Sequence, residues 1–273
     1  MSEKRTSSAA DINKIIQDAK SVFSSNIVEI YAFKVDWYNN LVAPKYKLDY
    51  KNDTVALIFF TIPYVFNESF IPFLCNYKEM VVHKSWEKFI HYNMEKVQQM
   101  LKKEYHLKIP DEDIMYSFDT ECGHAKILVQ TAGHIAAGAY YYQRRDVIPD
   151  PWPKNKTIYG VSIHPLYGGY FSLDAVIILR NIYDPKMIKK PPPDVVKSHA
   201  KRVELLTLYN DYYQNQKWRD IIPVQRKYTD EHMKYVMTYG EERENYVKRL
   251  INGHCRGRQD LRLLYFKKYI FNF

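Results

Sequence analysis

The amino-acid sequence predicts an α+β fold, a mixed sheet with helices packed on it, because strand-like and helix-like stretches follow one another in uneven order. Residues 54–62 (TVALIFFTI) are a continuous apolar run, the mark of a strand buried on both faces. Residues 85–105 carry Phe89, Ile90, Met94, Val97 and Leu101 at helical spacing behind Ser85, a candidate N-cap. Residues 158–164 and 170–179 are strand-like and are joined by PLYGG, whose paired glycines suit the positive φ of a hairpin turn.

The other elements follow in order. Residues 1–10 are polar and read as a disordered tail. Asp11 is placed to cap a helix with a stripe of Ile12, Ile15, Ile16, Ala19, Val22 and Phe23. Residues 27–33 (IVEIYAF) read as a strand, 36–41 as a helical turn ended by Pro44, 70–77 as a short helix and 113–118 as a strand. A rigid D-P-W-P break at 150–153 precedes the hairpin, and Pro185 with the prolines at 191–193 marks an extended linker. Residues 199–214 and 230–251 are helical, the latter interrupted at Gly240. This divides the chain into a tail (1–10), a single domain (11–255) and a basic, aromatic C-terminal arm (256–273).

Composition narrows the function. A chain of 273 residues with 46% hydrophobic and 15% aromatic content has ample material for a core, so disorder is excluded for most of it. The net charge of +9 is spread in short clusters and no nucleic-acid motif accompanies it, so small anionic ligands are as good an explanation as nucleic acid. No apolar run approaches a membrane span, and the start has no apolar signal region, so the expected compartment is the cytoplasm. Cys75, Cys122 and Cys255 have no metal-like spacing, and their odd number argues against a disulfide framework.

The most informative stretch is residues 126–146 (KILVQTAGHIAAGAYYYQRRD), which reads as one helix. Gly133, Ala136, Ala137, Gly138 and Ala139 leave its middle nearly bare, although a glycine inside a helix costs about 1 kcal/mol relative to alanine. A shallow floor with Gln130, His134 and Tyr141 along one stripe suits a large planar ligand. The plainer explanation is a small-residue contact in the core, and the segment alone favours it.

Familiar catalytic signatures are missing: there is no G-x-S-x-G, P-loop, G-x-G-x-x-G or H-E-x-x-H. Cys122-Gly123-His124 offers two metal ligands without a third, and a loop is the better reading. Asp230-Glu231-His232 is a near miss to D-x-H-x-x-G, in which a histidine binds cobalt. Tyr235 stands at the glycine position, and Asp230 is better read as an N-terminal helix charge.

Residues 32–39 (AFKVDWYN), 126–152 (KILVQTAGHIAAGAYYYQRRDVIPDPW) and 160–171 (GVSIHPLYGGYF), with Trp218-Arg219-Asp220 and the helix opened by residues 228–231 (YTDE), together carry a resemblance. The chain resembles the cobalamin-processing proteins of the methylmalonic aciduria and homocystinuria type C family, described as cyanocobalamin reductase and alkylcobalamin dealkylase. The resemblance runs from about residue 12 to 250. The family's proline-rich C-terminal extension is replaced here by the basic, aromatic arm.

The resemblance implies a flavin nitroreductase-like α+β fold with a large cavity. It implies cobalamin bound base-off and stripped of its upper ligand in either of two ways. Alkyl groups leave by attack of glutathione thiolate, and cyanide leaves after reduction through a flavin, FAD or FMN. No residue is catalytic in itself and no metal ligand comes from the protein, since the chemistry is at cobalt. The corrin contacts implied are Tyr116, Ile127, Leu128, Val129, Gln130, Tyr141, Tyr142, Gln143, Ser162 and Leu173, with His134 close by. Glutathione is implied to bind Arg219 and Arg243. A third family arginine falls on Asp174, a charge reversal that bears on glutathione affinity and brings glutathione oxidation into view as a side reaction. The partners implied are cobalamin, glutathione and an adaptor protein of cobalamin trafficking on the methionine synthase branch, with no nucleic acid and no membrane. A generic flavin oxidoreductase and a non-catalytic cobalamin carrier are the alternatives.

Overall fold

The computed structural model describes residues 5–6, 9–23 and 27–255. Its centre is the strand that the apolar run predicts. β3 (Thr54–Thr61) is buried at every position, between β2 (Val28–Lys34) and β9 (Ser172–Tyr183), and pairs antiparallel with both. On the far side of β9, β4 (Ile114–Tyr116) adds an antiparallel pairing, and β1 (Arg5–Thr6) lies parallel to Ile182 and Tyr183. The strand pairing at Arg5–Thr6 departs from a wholly disordered tail.

Both faces of the sheet are covered, which is why its strands lack a polar side. On one face, α1 (Ala9–Val22), α3 (Ile71–Tyr77), α4 (Ser85–Tyr105) and α8 (Gly240–His254) pack on Leu57, Phe59, Ile177 and Leu179. On the other, α2 (Val35–Asn39) and α5 (Val129–Ile135) pack on Ala56, Ile58, Phe60, Val176 and Ile178. A separate cluster joins β7 (Tyr140–Tyr142) and β8 (Val161–Ile163) to α6 (His199–Asp211) and Trp218. β5 (Thr120–Glu121) and β6 (His124–Ala125) form a small hairpin with Cys122 and Gly123 at its turn, and α7 (Asp230–Met237) precedes α8. No helix among the described residues is long and apolar enough to cross a membrane.

Local expectations fail in instructive ways. The stretch 126–146 is not one helix. α5 ends at Ile135, Ala137 turns to φ +59°, and the Gly138 and Ala139 amides donate back to the Gly133 carbonyl at 3.0 and 3.3 Å. The tyrosine run then becomes β7, as aromatic residues prefer. Ser85 is not an N-cap. Lys84 holds that place, and the Ser85 hydroxyl is 2.9 Å from that of Tyr235. Asp11 lies inside α1, which starts at Ala9.

The PLYGG turn closes through reciprocal His164–Gly168 backbone bonds of 2.8 and 3.0 Å. The flanking strands nevertheless part: β8 pairs with β7 and β9 with β3. Cys75 and Cys255 form a disulfide, correcting the argument from an odd cysteine count, and Cys122 is the free thiol. The basic, aromatic arm at 256–273 lies outside the described residues.

Candidate functional site

The bare residues of the 126–146 stretch face the sheet. A Cβ on Gly138 would lie 2.7 Å from the Phe60 ring and 2.8 Å from Tyr31, and one on Gly133 would lie 2.9 Å from Phe60. Their smallness therefore admits core aromatics, and the expectation of an open floor on the central helix is corrected. The candidate site is instead lined by Gln130 and Tyr141 of the same segment.

Gln130 and Tyr141 line a cavity of about 280 Å³, near the small end of ligand-sized pockets and suited to one edge of a large planar molecule. Tyr141 is placed by the β7–β8 ladder, where it pairs with Ser162. The Ser162 hydroxyl is buried and has no hydrogen-bond partner among the described residues, so this strand pair carries an unused polar group. His134 is committed locally: its Nδ1 accepts the Tyr141 amide at 3.1 Å, and its ring meets Tyr140 edge-on at 4.8 Å. Burial holds the His134 pKa below its ordinary value. Leu173 packs beside Gly133, under the segment.

The other expected contacts are spread wider. Ile127 and Val129 are buried in the core beneath α5, and Leu128 is half-buried with its amide donating to the Tyr38 hydroxyl at 3.0 Å. Tyr142 is fully buried; its hydroxyl donates to Asp194 at 2.7 Å and accepts the Val195 and Val196 amides. Gln143 caps the turn at Arg144–Asp146 with its side chain. Tyr116 lies on the face of the sheet opposite α5: strand alternation turns it to α4, where its ring is 4.0 Å from His91 and stacks on Phe118, whereas Met115 packs with α5.

The opposite wall of the cavity was not expected from the sequence. It consists of Tyr159, Gly160 and, from α6 and the turn after it, Tyr209, Asn210 and Tyr213. A signal was present, since Tyr209 and Tyr213 are four apart within the stretch 199–214 that reads as helical, although α6 itself ends at Asp211.

Arg219 stands behind this wall. It is only 5% exposed; its Nε donates to Gln216 at 2.6 Å, its Nη1 to the Gly169 carbonyl, and its guanidinium lies over Trp218, Tyr228 and Tyr170. Gly169 permits this, because a Cβ there would lie 2.4 Å from Trp218 and 2.8 Å from Arg219 itself. Arg243 donates to the Thr238 carbonyl at 2.7 Å and lies over Tyr235 and Tyr239. Neither guanidinium has a carboxylate partner among the described residues; the ion pairs found there involve other cations. Asp174 faces α4 instead, buried and bonded to Thr61, Trp86 and Ser172.

A larger cleft of about 1080 Å³ opens elsewhere, between residues 45–51, the β5–β6 hairpin and the end of β9. Its most firmly held cation, Arg180, is already bound to Asp113 at 2.6 and 2.9 Å. The smaller cavity is the better candidate, because two of the expected contacts, Gln130 and Tyr141, line it and none lines the larger cleft.

Comparison with known proteins settles the lineage. The model of the methylmalonic aciduria and homocystinuria type C family matches residues 27–247. The chain belongs to that family. A chicken relative, cyanocobalamin reductase / alkylcobalamin dealkylase, is 35% identical over 218 residues, covering 79% of this chain and 88% of its own. The human protein of the same description is 33% identical over 230 residues, covering 84% and 78%. The crystal structure of a Caenorhabditis elegans B12-trafficking protein, CblC, superposes with a TM-score of 0.78 over 90% of this chain and 99% of that one, at 23% identity, and shows the same fold. Family membership gives the α+β architecture its context, and the family's match begins just before β2 and ends within α8.

Proposed function

We propose that this protein binds cobalamin base-off and removes its upper axial ligand in the cytoplasm, by glutathione-dependent dealkylation of alkylcobalamins and by flavin-dependent reductive decyanation of cyanocobalamin. Membership of the family supports the cobalamin part. The observation that carries the thiol part is Arg219: a buried guanidinium without a carboxylate partner among the described residues, lying over Trp218, which stacks on Tyr213 of the cavity wall. Glutathione has two carboxylates, and a guanidinium matches a carboxylate with paired donors. Arg219 and Arg243 together would hold the peptide near the alkyl group and lower the entropic cost of attack.

The corrin edge would enter between Tyr141 and the α6 wall, with Gln130 and the free Ser162 hydroxyl offering hydrogen bonds to its amides. A reduced flavin, FAD or FMN, would supply electrons for decyanation. The larger cleft fits such a group, with Tyr46, Tyr50 and Tyr183 for its ring and Lys45, Lys47 and Lys51 for its phosphate. Delivery to an adaptor protein and glutathione oxidation as a side reaction belong to the same reading.

An absorption titration with methylcobalamin, with and without glutathione, tests this. The spectrum should move to the base-off form on binding and then to the dealkylated form when glutathione is added. A base-on spectrum at saturation refutes the binding mode. Tight binding with no loss of methyl under excess glutathione leaves a carrier.

A further inference from the structure

The wall that α6 and the following turn add to the cavity has a chemistry of its own, and Tyr213 is at its junction. With Gln130 and Tyr141 it lines the cavity. Its ring stacks on Trp218 with centroids 6.1 Å apart and planes at 20°, and Trp218 carries the Arg219 guanidinium 4.4 Å from its own centroid. Tyr239 is among the groups that act electrostatically on Tyr213, and the Tyr239 ring lies 5.2 Å from the Arg243 guanidinium. One phenol thus connects the cavity, through Trp218, to the Arg219 guanidinium proposed to hold the thiol peptide.

The geometry points to Tyr213 as a positioning residue for the thiol: its hydroxyl donates a hydrogen bond to the sulfur of a glutathione-class thiol and holds it as a thiolate facing the cavity. This role rests on the thiol-dependent dealkylation proposed above. In that step the S–H proton leaves to solvent, and the sulfur lone pair forms a bond to the alkyl carbon. The cobalt–carbon bond breaks with both electrons remaining on cobalt, which is thereby reduced by two electrons. A donor to sulfur favours the first event by stabilising the anion, as hydrogen bonds to a charged form do.

The surroundings suit that task. A phenol that donates must keep its proton, and burial pushes Tyr213 upward while Arg219 pulls the other way. The titratable groups facing it are Tyr209 from α6, Tyr228 ahead of α7, Tyr239 at the N-cap of α8, and Arg219; Tyr141 from β7 faces Tyr209 in turn. The Arg219 guanidinium favours an anionic sulfur.

The test is the pH dependence of methylcobalamin dealkylation by glutathione, anaerobically, in the full chain and in Tyr213→Phe. A charge-assisted hydrogen bond to the sulfur predicts that the acid limb of the profile moves up by about one pH unit in the variant. The rate should fall about tenfold near neutrality and recover where the thiol is ionised without help. Saturation with methylcobalamin should give the same spectrum in both proteins. Tyr212→Phe, a neighbouring residue 58% exposed, should leave the profile in place.

If Tyr213→Phe does not fold, the thiolate ultraviolet absorbance of glutathione titrated onto the wild-type protein reads the same quantity. It should show a bound thiol more acidic than the free one by about one unit. An equal loss of rate at every pH, an unmoved profile, or a bound thiol of ordinary acidity overturns the role. A wild-type protein that dealkylates with no thiol at any pH overturns the parent reading and this role with it.

Discussion

Asp174, the position at which the resemblance implies an arginine, has surroundings that allow the consequence of replacing it to be worked out. Its Oδ2 accepts the Thr61 amide at 3.1 Å and the Thr61 hydroxyl at 2.7 Å; its Oδ1 accepts the Trp86 indole at 3.0 Å and the Ser172 hydroxyl at 2.8 Å. One side chain therefore joins β3, β9 and α4. In Asp174→Ala the two hydroxyls can turn to other acceptors, whereas the indole and amide N–H groups cannot. Each orphaned buried donor costs about 1–3 kcal/mol. Relief of the buried carboxylate, whose desolvation is the largest cause of its raised pKa, offsets part of this. The expected net loss is about 2–4 kcal/mol, or about 4–16 °C in melting temperature for a chain of this size.

Asp174→Arg should be worse, by about 3–5 kcal/mol, because it sets a buried cation against groups that all donate. An arginine at this position would therefore perturb the fold before it reported on glutathione.

The pH dependence has a definite sign. The folded pKa lies above the unfolded one, so this group's contribution is fully present below the ordinary carboxylate range and is lost as pH rises through the folded value. The gap between wild type and Asp174→Ala should accordingly narrow from acid pH towards neutrality. Urea denaturation at both pH values, with unchanged slope, measures it. An alanine variant within about 0.5 kcal/mol of wild type at both pH values would refute the argument, since that is the ordinary spread of surface substitutions.

Other expectations concern stability more than chemistry. Gly138→Leu should cost at least about 1–3 kcal/mol through overpacking against Phe60 and Tyr31, while the folded fraction keeps its cobalamin affinity; a stable variant that no longer binds would restore the open floor. His232 is buried against Phe66 and Tyr228, and burial, assisted by Arg219, lowers its pKa to about 3. Its folded pKa is below the unfolded one, so stability should fall as pH drops from about 6.5 to about 3, and His232→Phe should flatten that slope in acid unfolding; parallel curves would count against it. Reducing Cys75–Cys255, which spans 180 residues, should lower stability by about 2–5 kcal/mol, and native thiol titration should find Cys122 but neither partner; a full complement of free thiols would contradict the bond.

The sequence by itself determined the elements that depend on local pattern. The uninterrupted apolar run at 54–62 reads as a strand covered on both faces, and β3 is that strand. The stripe from Phe89 to Leu101 is the buried side of α4, and the break at Gly240 divides α7 from α8. The long motif at 126–152 carried the family as well. What the tertiary structure decided is where side chains face and which strands meet. Small residues can admit a ligand or a neighbouring ring, and only the position of Phe60 chose between them. A tight turn at PLYGG is local, but whether its strands pair is a contest among long-range partners, which β7 and β3 won. The faces of Tyr116 and Asp174 depend on register, since side chains alternate along a strand and one residue reverses the direction. Cys75 and Cys255 are brought together only by α8 packing on α3, a closure that residue spacing cannot encode.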